Sequence, residues 1–370
     1  MFNHRRKLRS AVLHTFLPAA AVLAAHAAFA SDPLPGDLVA PPVGVNIGML
    51  YNEFSDAGAD GALRGGTYSR DTHISTEITV GRLIHIFSLG GMTAGVQVYE
   101  PYVAFLGNQE VGVTNIAGPD VPALGGQLPS YGPGRADLSK TSGFAQPNFS
   151  VFFFPINDPA TGSYAVVAPW VAPPVSSFNK NTNLNPSANT WVYEIELGYR
   201  RILFGTPTTP NLQVELWSSS YGFGDNSNSA YVTPTVNANS IPPIYGVYHA
   251  LSGGLIPDSN PLEAASSTPA TFHEQPSEEF RLYLPYEVIP AIDAFIVPGF
   301  YQSLGGKQTY KLRDGAKIDS GNRTEESQLR LIAETFVSPT LQLMAIGEYD
   351  VANHGGALDR NFEIRIAKFF

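Results

Sequence analysis

Carboxylates and arginines recur two or four residues apart along this 370-residue chain. Glu194, Glu196 and Arg200 form one such row, Glu279 and Arg281 a second, and Arg330 and Glu334 a third. In an extended segment residues i and i+2 share a face, so each row is a charged edge of a strand. The chemistry open to it is arginine–carboxylate pairing, or with acids in surplus a polar path that favours cations. No cysteine occurs, which excludes disulfides, thiolate metal sites and cysteine nucleophiles together. His73, His85, His249, His273 and His354 are scattered without the spacing of a metal site. His85 is a lone strand histidine with no nominated serine partner, so no catalytic residue is assigned. Asp56, Asp60 and Asp71 lack the spacing of a calcium loop and read as a solvated acidic stretch. No phosphate-binding glycine motif stands out, and no cofactor or metal is expected.

The charged rows sit in strands. From Trp191 the odd positions Trp191, Tyr193, Ile195, Leu197 and Tyr199 are apolar or aromatic, and the even ones carry the charges. The same split separates Phe280, Leu282 and Leu284 from Glu279 and Arg281, and Leu329 and Leu331 from Arg330. Near the start Val43, Val45, Ile47, Met49 and Tyr51 form the apolar register; near the end Phe362, Ile364 and Ile366 do. Twelve such runs are predicted, at about 43–54, 72–87, 91–105, 144–155, 163–172, 190–204, 211–221, 277–288, 291–302, 324–337, 340–351 and 361–370. Their links alternate between short and long, the long ones being 55–71, 106–143, 173–189, 222–276, 303–323 and 352–360.

That parity is the signature of an up-and-down antiparallel β-barrel in a membrane, with short periplasmic turns and long extracellular loops. A soluble β-sandwich would alternate too, but nothing in it sorts connections by parity. Charged residues are only 15% of the chain, and Arg5, Arg6, Lys7 and Arg9 precede an apolar run and the exit Ala28-Phe29-Ala30. The expected organisation is a signal peptide over 1–30, a periplasmic segment over 31–42 and an outer-membrane barrel over 43–370. Without 1–30, 18 basic residues face 32 acidic ones, a net charge of −14, which argues against nucleic acid as a partner. Apolar faces then meet the lipid bilayer and charged faces the lumen. The candidate lining residues are Glu194, Glu196, Arg200, Arg281, Arg330 and Glu334, joined on the same reasoning by Glu77, His85, Glu215, Glu348 and Arg365. Trp191, Tyr199 and Tyr286 fall toward strand ends as girdle residues, and Lys368 is expected to snorkel to the periplasmic interface. A terminal Phe370 on the last strand is the usual insertion signal, which makes the barrel-assembly machinery an expected partner.

Loop 222–276 holds an apolar island, in which Ile241, Ile244, Tyr245 and Tyr248 are the candidate capture residues for a small hydrophobic ligand. The alternative is that they pack the loops onto the barrel rim.

Two blocks resemble a known family. Gly36-Asp37-Leu38-Val39-Ala40-Pro41-Pro42-Val43-Gly44-Val45-Asn46 with Met49-Leu50-Tyr51 is similar to the opening of the outer-membrane transporters grouped as the meta-pathway phenol-degradation family. Gly81-Arg82-Leu83-Ile84-His85-Ile86-Phe87-Ser88-Leu89-Gly90-Gly91-Met92-Thr93, continuing to Val98-Tyr99-Glu100-Pro101-Tyr102, resembles its second and third strands. The likeness in strand order covers nearly all of residues 31–370. It implies a barrel that passes aromatic or other hydrophobic compounds across the outer membrane, and it carries over no functional residues. The function expected is a passive channel or transporter for such compounds, not an enzyme. A structural or adhesive barrel with a plugged lumen is the alternative, and a lipase-like hydrolase stands third.

Overall fold

Alternation broken by glycine and proline folds into strands throughout the computed structural model, which describes residues 33–58, 72–113, 120–121, 126–127, 134–232, 235–236, 267–319, 325–354 and 358–370. The signal region 1–30 and the loop island Ile241, Ile244, Tyr245 and Tyr248 lie outside the described residues. Twelve strands build the barrel: β1 (Asn46–Gly58), β2 (Ile74–Leu89), β3 (Met92–Phe105), β4 (Asn148–Asp158), β5 (Ser163–Ala172), β6 (Val192–Phe204), β7 (Leu212–Phe223), β8 in two pieces (Ser277–Tyr283 and Tyr286–Ile289), β9 (Ala294–Leu304), β10 (Glu325–Ser338), β11 (Leu341–His354) and β12 (Leu358–Phe369). Each is antiparallel to its neighbours in sequence, and β12 pairs with β1, so the sheet closes without an edge. At that seam the backbone N–H of Asn46 donates to the Phe370 carbonyl at 2.8 Å, and that of Phe370 returns the bond at 2.9 Å. The break in β8 has a local cause: Pro285 brings no N–H to the ladder. Its carbonyl accepts from Gln213 N, and Leu284 N donates to the Pro298 carbonyl across the gap.

The short links lie at one end. Gly90 and Gly91 adopt φ of 57° and 87°, which a two-residue primed hairpin turn requires at both positions. Lys368 Nζ donates to Thr340 Oγ1 at this same end, where a lysine leaves the hydrocarbon. The opposite end carries the long links, part of which fold into a small sheet of their own from Asn226–Val232, Ser267–Glu274, Gln308–Leu312 and Lys317–Asp319. One expectation changes here: β11 and β12 run further than the alternation suggested, to His354 and from Leu358, into the link drawn over 352–360.

The two registers face as the membrane reading requires in most strands. Tyr193, Ile195, Leu197, Phe280, Leu329, Leu331, Phe362 and Ile364 are exposed on the outside, while Glu215, Arg281 and Arg365 are 0–2% exposed inside. No helix among the described residues is long and apolar enough to cross a membrane, so crossing falls to the strands.

The first two strands correct the reading. In β1 it is Ile47 and Tyr51 that are buried in the lumen, while Leu50 and Phe54 face outward. In β2 the inward set is Ile78, Val80, Arg82, Ile84 and Ile86, so Glu77 and His85 stand on the outer surface. Asn52 donates to Glu77 at 3.0 Å and Asn46 meets His85 at 2.8 Å out there. The cause is a lumen that is apolar along this wall, so that hydropathy alone gives the wrong face.

Residues 33–42 also lie elsewhere than expected. Leu34 and Leu38 are buried within the barrel, and the segment enters the lumen from the periplasmic end.

Candidate functional site

The lumen is divided into three levels by the side chains that alternate into it. At the middle, Asp37 of the inserted segment takes one hydrogen bond from Arg82 Nη1 of β2 at 2.9 Å and another from Arg365 Nη1 of β12 at 2.8 Å. All three side chains are nearly inaccessible. Arg82 lies over the ring of Tyr99 at 4.5 Å and donates to Gln97 and to the Tyr51 hydroxyl. Gly36 N donates to Glu215, and the Tyr283 hydroxyl donates to the Pro33 carbonyl at 3.4 Å. Leu38 fits because Gly198 has no side chain: a Cβ there would stand 2.7 Å from both Leu38 Cδ2 and the Trp217 ring. Burial by itself pushes the Asp37 carboxyl up, but Arg365 and Arg82 outweigh it and hold the group below the ordinary carboxylate value.

Above this collar, toward the loops, a polar vestibule of about 140 Å³ is lined by Glu53, Glu279, Arg281, Tyr301, Arg330, Glu348 and their neighbours. Tyr301 is flanked by Arg281 at 5.2 Å and Arg330 at 4.5 Å, and its hydroxyl donates to Glu279. Below the collar lies a larger chamber of about 470 Å³. Ile84, Ile86, Phe152, Phe154 and Trp170 make one wall of it, and Arg200, Gln213, Glu287 and Glu334 another. Gly95 permits the aromatic wall, since any Cβ would strike the Phe152 ring.

Glu194, Glu196, Arg200, Arg281, Arg330 and Glu334 are all buried and on the inward register. Arg281 pairs within its own row, whereas Arg200 and Arg330 pair across to the neighbouring strand. Arg200 bonds Glu215 of β7 at 3.1 Å, Arg281 bonds Glu279 at 2.5 Å, and Arg330 bonds Glu348 of β11 at 3.1 Å. Glu334 accepts from Gln342 at 3.5 Å. Replacing one partner of a buried pair leaves an uncompensated charge, which is why such pairs fix register more than they add stability. Changing Glu194, Glu196 and Glu334 together to glutamine is expected to lower cation preference in planar-bilayer recordings. An unchanged reversal potential would remove these groups from the permeation path.

Asp37, Arg82, Tyr99, Tyr283 and Tyr301 were not legible as site residues. Arg82 is the one charge on the inward face of β2, and only the register with β1 and β3 shows it facing the lumen. Among the described residues one carboxylate trio, Glu326, Asp350 and Asp359, gathers oxygens within 4.8 Å at the outer mouth. Gln328 Nε2 donates to both Glu326 and Asp350, and Asp359 N to Asp350, so hydrogen bonds already hold the trio together.

A closed barrel with an apolar exterior, an ionic lumen and turns sorted by length is a transmembrane β-barrel of the outer-membrane type. Within that class, residues 52–214 match the family described as "Putative MetA-pathway of phenol degradation", which bears out the resemblance read in the sequence. Among solved structures, an outer-membrane channel from Pseudomonas putida F1 is similar over 92% of this chain and 100% of its own, at 20% identity and a TM-score of 0.62. The transport unit of the autotransporter AIDA-I from Escherichia coli matches over 95% of this chain and 97% of its own, at 10% identity and a TM-score of 0.46. The first of these likenesses speaks to the fold. No curated protein matches the chain.

Proposed function

We propose that the chain is an outer-membrane channel for the passive passage of small hydrophobic or aromatic compounds. The observation that carries this is the 470 Å³ chamber, half walled by Ile84, Ile86, Phe152, Phe154 and Trp170. Its size lies in the range of small-molecule sites, about 300–1,000 Å³. A pore meant only for ions has no use for an aromatic wall in its interior, whereas an apolar solute gains about 25 cal/mol for every Å² it removes from water there. The family match supports the same reading, and the barrel shared with the Pseudomonas putida channel is compatible with it. Ile241, Ile244, Tyr245 and Tyr248 are proposed as the capture surface that feeds the lumen from outside, and Phe370 as the residue the barrel-assembly machinery reads.

The segment 33–42 favours a second reading, a plugged structural barrel, because it occupies the lumen between vestibule and chamber. Uptake decides between the two. Cells that make the chain are expected to accumulate a radiolabelled small aromatic faster than cells that lack it, and the deletion of 236–252 to slow it. Equal rates with and without the chain would favour the plugged barrel.

A further inference from the structure

Outside the lumen, where β1 and β2 reach the extracellular rim, three side chains of complementary chemistry meet on the outer surface. Asp56 of β1 stands directly opposite Ser75 of β2 in the register, and His73 precedes Ser75 by two residues on the same face. Ser75 Oγ lies 3.5 Å from His73 Nε2, and His73 Nδ1 lies 3.4 Å from Asp56 Oδ1. One imidazole nitrogen therefore looks at the hydroxyl and the other at the carboxylate, the order of roles in a serine–histidine–acid hydrolase. The hydroxyl now donates to Asp56 Oδ1 at 3.0 Å. Rotation about its own C–O bond turns the proton to His73 Nε2 and leaves the carboxylate to the imidazole. Such contacts are commonly loose before substrate arrives.

The backbone around the trio is held. His73 exchanges two hydrogen bonds with Glu110, at 2.8 and 2.9 Å, and Ser75 N donates to the Gln109 side chain at 2.9 Å. Its place along the strands is also defined. One rung below, Phe54 is exposed outward and pairs across to Phe362, also exposed, at the level where an aromatic girdle begins. His73 and Asp56, further toward the loops, are 54% and 57% exposed.

We propose that Asp56, His73 and Ser75 form a hydrolytic site on the barrel's outer face for acyl esters of amphiphiles in the outer leaflet. Ser75 Oγ attacks the ester carbonyl carbon and its proton passes to His73 Nε2. The acyl C–O bond breaks, and His73 returns the proton to the leaving alcohol. Water then attacks the acyl-serine by the same route, which releases the fatty acid and restores Ser75. Asp56 is the positioning residue, orienting the imidazole and balancing its charge.

The test uses the full-length barrel in detergent micelles, with folding checked by heat-modifiable migration. A fluorophosphonate should label Ser75, mapped by mass spectrometry. Labelling should vanish in Ser75→Ala and fall at least about ten-fold in His73→Ala, the low end of what a positioned base contributes. Asp56→Asn should slow it and Asp56→Glu restore it, a rescue that a merely structural hydrogen bond would not need. Phospholipid vesicles and lipopolysaccharide are then offered separately, and fatty-acid release from one identifies the source of the ester. Ser75→Ala should leave single-channel conductance as in the parent. A folded barrel whose Ser75 is unlabelled, or labelled equally without His73, overturns the site. Labelling with no fatty acid released from either lipid overturns the substrate.

Discussion

Replacing Asp37 with asparagine is expected to raise single-channel conductance several-fold at neutral pH. Asp37 is the sole acid of the inserted segment 33–42 and neutralises two arginines from strands that flank β1. Removing one partner of a buried ion pair costs about 3–5 kcal/mol. A lumen that admits some water lowers that to roughly 2–3 kcal/mol, which moves the docked-to-released ratio of the segment by about 30- to 150-fold. The loss is compounded because Arg82 and Arg365 are then left to repel each other. Deleting residues 33–42 sets the upper limit of the conductance, and the asparagine variant should approach it. A conductance equal to the parent's would mean that the apolar contacts of Leu34 and Leu38 hold the segment without the charge. The pH dependence follows from the sign of the shift. Because the carboxyl is held below its ordinary value, its contribution to docking is complete above about pH 4 and lost only as pH falls through the lowered value. Between pH 8 and 5 Asp37 should therefore add no pH dependence to gating.

The barrel was readable because its rule is repetitive. Period-two hydropathy is enforced in twelve strands and connection parity in the eleven links between them, so an error in one strand does not propagate; the least regular segments still fall at Asn148–Asp158, Ser163–Ala172 and Ala294–Leu304. What failed is the assumption that every inward face is polar. β1 and β2 turn Ile47, Ile84 and Ile86 inward against the chamber, and Ile78 and Val80 inward against the vestibule. Two apolar environments, lipid outside and an apolar lumen wall inside, leave no contrast for hydropathy to read. Arg82 was hidden for the same reason, since it sits alone among aliphatic neighbours of its own face. The pairing of Asp37 with Arg82 and Arg365 joins residues 45 and 328 positions apart in sequence, and no local pattern encodes it. The outer trio is different in kind: His73 and Ser75 are visible as a same-face pair, but Asp56 joins them only once the β1–β2 register is known.

The chamber makes the second large prediction. Two of the three tryptophans, Trp170 and Trp217, line it, whereas Trp191 is exposed outside, so Trp191→Phe leaves a fluorescence signal that reports on the chamber. In that background a small apolar heavy-atom quencher such as bromobenzene is expected to quench saturably. Phe152→Glu should then weaken its apparent affinity by roughly 10- to 100-fold, because a ligand that loses contact with one aromatic face forfeits about 1.5–3 kcal/mol. The carboxylate also draws water onto the wall that had none to hold. Phe152 faces the space left by Gly95, so the smaller glutamate meets no steric obstacle and the barrel should fold. The substituted wall is away from the Arg281–Tyr301–Arg330 stack, and ion conductance through the vestibule should change far less than quenching does. Quenching that rises linearly with bromobenzene in both proteins would mean that the probe partitions into detergent alone, and the aromatic wall would have no part in capturing a solute.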